Sequence, residues 1–282
     1  MKIWISLLII IAVLLLIYLW AVAPRMVSRP DRSMYLNHLY AHRGLHRNGG
    51  KAPENSLAAF QKAVDAGLGI ELDVQLTKDE EVVVFHDFTL DRVCGVKGRV
   101  CDYTYEELQQ FSLAGSDQKI PKFTDFLKIV DGKVPFILEY KVEWMDPKVC
   151  PLTNEILKDY KGVYCIESFN PTALMWYKKN RPDVFRGILS ENYFKENEDG
   201  KPKVLFVALW LMLTNFLFRP DFQAYNHKHY KNVSRVLCRK LFKSTSVAWT
   251  IKSQEQLDAR AKDFDMFIFD SFVPRGVDAT LD

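Results

Sequence analysis

The chain has 282 residues and a formal net charge of +3, with no lysine- or arginine-rich run interleaved with aromatics; nucleic acid is not an expected partner. Five scattered cysteines, none in a C-x-x-C pair, argue against a thiolate zinc site or a disulfide framework and suit free thiols. Once the first thirty or so residues are set aside, about 250 remain, enough for one large α/β domain.

From Ile3 to Ala23 the chain is apolar, broken only by Ser6. As a helix this stretch reaches about 31 Å, the thickness of a hydrocarbon core, with Trp4, Tyr18 and Trp20 towards its ends. Ala21-Val22-Ala23 resembles a signal-peptide cleavage site. The apolar core is too long for a usual signal peptide, however, and Pro24 would follow the cut, so a retained membrane anchor is expected. Arg25, Arg29 and Arg32 outnumber Lys2 around the span, which places the following domain on the cytoplasmic side. The expected organisation is a transmembrane anchor over residues 1–24, a polar linker over 25–37 and a barrel domain over 38–282.

Nine strand-like runs follow: 38–41, 68–76, 82–85, 134–140, 163–167, 185–189, 222–225, 246–250 and 266–269. Most are separated by helical stretches such as 171–179, 233–242 and 254–262. That alternation predicts the α/β class and a closed (β/α)8 barrel preceded by one N-terminal transmembrane helix. The polar turn Lys78-Asp79-Glu80-Glu81 is too short for a parallel crossover, so the ninth strand is expected to be the hairpin partner within 68–85. Residues 88–131 form a long excursion expected to lie over the active face. The apolar stretch 204–218 is too short for a second span. It reads as a barrel helix packed on the sheet, or as a helix partly embedded in the membrane surface.

Glu71 and Asp73 are two apart on a strand and project from one face; Glu139 ends a later apolar strand with Lys141 two residues on. Two acids on a buried face require a compensating cation or basic side chains. Three carboxylates without cysteine or clustered imidazole point to one hard divalent ion, Mg2+ or Ca2+. Ion pairing of these acids with Lys141 and Arg43 is the alternative. His42 and His86 end short apolar runs and bracket the dicarboxylate, which suits a pair of imidazoles that donate and accept protons near neutral pH. Strict alternation turns Arg43 away from His42, unless Gly44 breaks it.

The ordered motifs His42-Arg43-Gly44, Pro53-Glu54-Asn55, Glu71-x-Asp73-Val74-x-Leu76-Thr77-x-Asp79, His86-Asp87 and Glu139-x-Lys141 resemble the glycerophosphodiester phosphodiesterase family. That family lies within the phosphatidylinositol-phospholipase-C-like barrel phosphodiesterases. The resemblance implies His42 and His86 as general acid and base, and Glu71, Asp73 and Glu139 as metal ligands. It implies Arg43 and Lys141 as phosphate contacts, with Asn55 supporting the site. The implied reaction is hydrolysis of a phosphodiester to glycerol 3-phosphate and an alcohol. A soluble glycerophosphodiester, a lysolipid or a glycerophosphate polymer at the membrane surface is the implied substrate. A catalytically idle, membrane-tethered binding module is the reading from a different class. Ser56 stands where the family usually has threonine, and Phe269-Asp270 where it usually has Thr-Asp.

Overall fold

The computed structural model describes residues 2–196 and 203–281. Among them are nine strands: β1 (Leu39–His42), β2 (Gly69–Leu76), β3 (Val82–Val84), β4 (Phe136–Tyr140), β5 (Tyr164–Ser168), β6 (Arg186–Ser190), β7 (Phe222–Asn226), β8 (Thr245–Ile251) and β9 (Met266–Phe269). Eight are parallel. β2 and β4 to β9 follow in chain order, and β1 pairs with both β2 and β9 to close the barrel. β3 is the surplus strand, antiparallel to β2 with Val74 opposite Val84. The hairpin expected from the short polar turn is therefore the one observed.

Alternation along each strand makes two cores. Ile70, Leu72, Val74, Leu138 and Ile166 face outwards and pack beneath the helices. The helix Leu57–Asp65 is capped by Ser56, whose Oγ accepts from the Ala59 amide at 3.1 Å. Its Phe60 meets Phe126 of the helix Phe123–Val130 edge-on at 4.8 Å. Facing inwards, Tyr40, Ile137, Cys165, Phe222 and Val247 fill the barrel floor. Two glycines admit the largest rings: a Cβ on Gly69 would sit 2.7 Å from the Tyr40 ring, and one on Gly187 would sit 2.0 Å from Phe222. Above this dry floor, the inward positions at the other end of the barrel carry acids.

The excursion after β3 has its own small core around Val83, Phe85, Leu90, Val100 and Leu113. Its helix Tyr105–Leu108 starts at a capping box between Thr104 and Glu107. The stretch 204–218 is split into the helices Lys203–Trp210 and Asn215–Phe218, and the second packs against the helix Pro171–Asn180.

The helix Lys2–Val22 is long and apolar enough to cross a membrane, and its residues 2–17 are exposed. Its C-terminal end is bonded to the barrel. Asn215 Nδ2 donates to the Val22 carbonyl at 2.9 Å, Arg219 Nη1 donates to those of Trp20 and Ala23 at 2.8 Å, and Trp20 stacks on Phe216 at 4.8 Å. The following segment continues along the floor. Arg25 pairs with Asp221 at 3.4 Å, Arg29 donates to the Phe242 carbonyl, and Arg32 to Thr245 Oγ1.

Candidate active site

Strand register gathers the acids. Asp73 of β2 lies opposite Glu139 of β4, and Glu139 opposite Glu167 of β5; His42 of β1 lies opposite Glu71. All four carboxylates are buried. One oxygen from each of Glu71, Asp73 and Glu139 falls in a group whose members lie within 4.8 Å of one another. Glu71 Oε1 accepts no hydrogen bond from any described residue.

The acids are not equivalent. Burial, together with Asp73, Glu139 and Glu167, pushes the Glu71 carboxyl well above its ordinary range. Burial acts on Asp73 in the same direction, but Lys141, His86, Arg43 and a 2.9 Å hydrogen bond from Asn55 outweigh it and hold that group low. Burial raises Glu139 against the pull of Lys141, whose Nζ lies 2.6 Å from Glu139 and 3.2 Å from Asp73. Glu167 is raised strongly by burial and by its neighbours Glu139 and Asp73.

Arg43 faces this cluster. Its backbone is left-handed (φ +58°), and Gly44 follows at φ +84°, so the strand alternation breaks at the end of β1. A Cβ on Gly44 would approach the Ala59 backbone to 2.9 Å, so the turn also needs glycine for space. Arg43 Nε reaches Asp73 at 3.6 Å and Nη1 reaches Glu54 at 2.6 Å. Asp73 thus makes both pairings of the ion-pair alternative, yet its Oδ1, like Glu71 Oε1 and Glu167 Oε2, has no hydrogen-bond partner among the described residues.

Each histidine rests on a carboxylate through Nδ1. His42 Nδ1 is 3.2 Å from Asp270 Oδ2, and His86 Nδ1 is 2.5 Å from Asp87 Oδ1. His42 Nε2 is left 3.9 Å from Glu71. Burial and Arg43 lower the His42 imidazole to about 4, against the opposing pull of Asp270. Both histidines line a cavity of about 110 Å³ with Arg43, Glu71, Glu139 and Trp249. Larger hollows exist: one of about 820 Å³ beside Trp20 and Arg25 is lined by none of these residues.

Asn55 and Lys141 join the cluster through Asp73 rather than by lining that cavity. Four further groups belong to the arrangement. Asp270 bridges His42 and His46, the latter at 3.2 Å. Arg92 grips Glu54 with two 2.7 Å bonds and also holds Asp87. Glu167 extends the row of acids. The Ile-Glu-Ser end of β5, an acid closing an apolar strand as Glu139 nearly closes β4, was a usable signal for Glu167; His46 carried none.

A family model described as the glycerophosphoryl diester phosphodiesterase family matches residues 42–254, well over half of the chain. The chain belongs to this family. Among its relatives is a glycerophosphodiester phosphodiesterase of Caldanaerobacter subterraneus, 34% identical over 161 residues, 53% of this chain and 65% of that protein. A mouse lysophospholipase D is 31% identical over 189 residues, 62% of this chain and 54% of its own length. The alignments to three bacterial relatives span 65–67% of their lengths. An Oleispira antarctica phosphodiesterase, solved in complex with the product sn-glycerol-3-phosphate, shares the fold. Its TM-score is 0.67 at 23% identity, over 83% of this chain and 93% of that one.

Proposed function

We propose that this family member is a metal-assisted phosphodiesterase that hydrolyses glycerophosphodiesters to glycerol 3-phosphate and an alcohol. The observation that carries this is the pair of carboxylate-held imidazoles lining one cavity with Glu71 and Glu139 of the acidic cluster. The acids suit a cation. They offer only oxygen donors, and a buried Glu71 oxygen has no hydrogen-bond partner. Glu71, Asp73 and Glu139 would hold one divalent ion, Mg2+ or Ca2+. When bound, such an ion supplies Lewis-acid stabilisation of charge on the phosphoryl oxygens.

The chain's own groups do the rest. Arg43 and Lys141 neutralise the phosphate and orient it. Asp270 and Asp87 fix the two rings through Nδ1, leaving Nε2 of each for proton transfer. One histidine takes the proton of an attacking water and the other protonates the departing alcohol; where a glycerol hydroxyl attacks instead, the alcohol leaves a cyclic phosphate, which water then opens to glycerol 3-phosphate with the two histidines in exchanged roles. Asn55 keeps Asp73 oriented.

The helix Lys2–Val22 acts in this proposal as a retained anchor over residues 1–24, followed by the segment 25–37 and the barrel from 38 on. The excess of arginines after the span puts the barrel on the cytoplasmic side. A lysolipid is a second candidate substrate, favoured by the lysophospholipase D relative and by the apolar helix.

The test is release of glycerol 3-phosphate from glycerophosphocholine. His42→Ala and His86→Ala should each lose about 10²- to 10⁴-fold in kcat with an unchanged Tm. Wild-type turnover in both variants would refute the proton-transfer roles.

A further inference from the structure

The hollow of about 820 Å³ beside Trp20 and Arg25 lies at the floor, the opposite end of the barrel from the acids. Arg186 opens β6, and Asp183 and Arg219 sit in the turns that lead into β6 and β7. Four of the lining side chains are cations: Arg25, Lys178, Arg186 and Arg219. Trp20 and Met26, each 55% exposed, add apolar wall.

Backbone carbonyls hold three of these cations in place. Lys178 Nζ donates to the Leu217 carbonyl at 2.8 Å, Arg186 Nε to that of Phe218 at 3.1 Å and Arg186 Nη2 to that of Arg219 at 3.2 Å. Arg219, bonded to the last carbonyls of the apolar helix, lies over the Trp20 ring at 5.3 Å. Such bonds fix a cation without cancelling its charge. The nearby carboxylates are committed elsewhere. Asp183 holds Arg181 at 2.8 Å, and Asp221 holds Arg25 at 3.4 Å and the Arg186 amide at 3.1 Å. Among the described residues no carboxylate pairs with Lys178, Arg186 or Arg219. Arg186 is only 2% exposed, and its Nη1 has no hydrogen-bond partner. Burial, and then the charges of Arg186 and Arg219, lower the Lys178 ammonium. Cations gathered in this way cost stability that a bound anion restores.

We propose that this floor hollow binds a phosphate monoester, its phosphate group held among Lys178, Arg186 and Arg219 and its organic part resting on Trp20 and Met26. Two guanidinium groups and an ammonium match the charge and geometry of phosphate, and the volume is that of a small-ligand site. The bound ester bridges the end of the apolar helix to the barrel, as an effector apart from the chemistry at the other rim. A soluble ester is the favoured source, because of where the helix leads. Tyr18 is hydrogen-bonded to Ser234 at 2.8 Å, and the Val22 carbonyl accepts from Cys238 Sγ at 3.3 Å. The helix Lys2–Val22 thus runs beside the helix Val233–Lys240, which follows β7 and descends from the active rim to the floor. Exposed residues 2–17 project past the active rim, and a bilayer around them lies at the end of the barrel away from this hollow.

The experiment titrates the full chain in detergent micelles with phenyl phosphate, by calorimetry at fixed ionic strength, for wild type, Lys178→Glu and Arg43→Gln. Lys178→Glu should weaken binding at one site at least about tenfold, and Arg43→Gln, altered at the opposite end, should keep that site. Lys178 is exposed, so the variant should fold, with an unchanged Tm and glycerophosphocholine turnover close to that of wild type. A second readout belongs to the floor alone. Phenyl phosphate at about ten times its dissociation constant should slow proteolysis within residues 24–33 about tenfold in wild type and give Lys178→Glu no protection. Vesicles containing phosphatidic acid present the same headgroup chemistry and should not protect. Protection by the vesicles alone, lost in Lys178→Glu, upholds the site and moves its source to lipid. No binding of phenyl phosphate and no protection by either probe overturns the proposal. Binding that Arg43→Gln abolishes and Lys178→Glu leaves intact overturns it equally.

Discussion

Glu54 shows how the site is braced at the level of single residues. Burial alone would raise its carboxyl, but the Arg92 fork, Arg43 and Asn48 lower it to about 2. A depressed carboxyl contributes stability that is fully present above its unfolded pKa, near 4.5, and is lost as pH falls through about 2. That contribution is on the order of 3 kcal/mol at neutral pH. Thermal unfolding of wild type and Glu54→Gln should therefore differ most at pH 5 and above, and the gap in Tm should close towards pH 2. A gap that stays constant over that range would show that Glu54 does not act through its charge. Arg43 reaches this network only because its backbone is left-handed, and strand alternation by itself gave the opposite orientation. His46 was hidden for a related reason, and Asp270 showed in the sequence only as part of the Phe269-Asp270 departure, without its partner. Asp270 comes next to His42 because β1 and β9 pair, with Ala41 opposite Phe269, and nothing local in either segment announces that closure.

At the scale of elements, the strands were readable because each alternates or is wholly apolar between clear breaks, and the β2–β3 turn was too short for anything but a hairpin. The stretch 204–218 was not. Its nearly unbroken apolar run hides a split into two short helices, and the second of them packs against the end of the helix Lys2–Val22. That contact makes Asn215 and Arg219 structural partners of the apolar helix, a role invisible where they sit in sequence. Arg219→Ala removes two charge-assisted hydrogen bonds to the last carbonyls of that helix, together worth about 1–3 kcal/mol. In detergent micelles the variant should be cut faster by protease within residues 24–33, with glycerophosphocholine turnover unchanged. Equal cleavage rates would show that the junction is held by other contacts.

For the whole molecule, closure of the barrel assembles the site. The stretch from His42 to Asp87 supplies His42, His46 and His86, the acids Glu71 and Asp73, and the bracing carboxylates Glu54 and Asp87. Glu139 and Lys141 arrive from β4, Glu167 from β5 and Asp270 from the end of β9, brought alongside by register. The eight-strand solution and the acidic cluster were legible because periodicity places acids on the inward face. The docking of the apolar helix was not, since it depends on side-by-side packing between segments more than two hundred residues apart. The central claim is that Glu71, Asp73 and Glu139 hold a cation that the phosphodiesterase reaction needs. Its most direct measurement is glycerol 3-phosphate release from glycerophosphocholine by wild type and Glu71→Gln, before and after chelation and with Mg2+ or Ca2+ restored. Wild-type activity should vanish on chelation and return with the ion, and Glu71→Gln should lose at least about 10²-fold at any ion concentration near physiological. Full activity in the chelated wild type, or in Glu71→Gln, would contradict the claim.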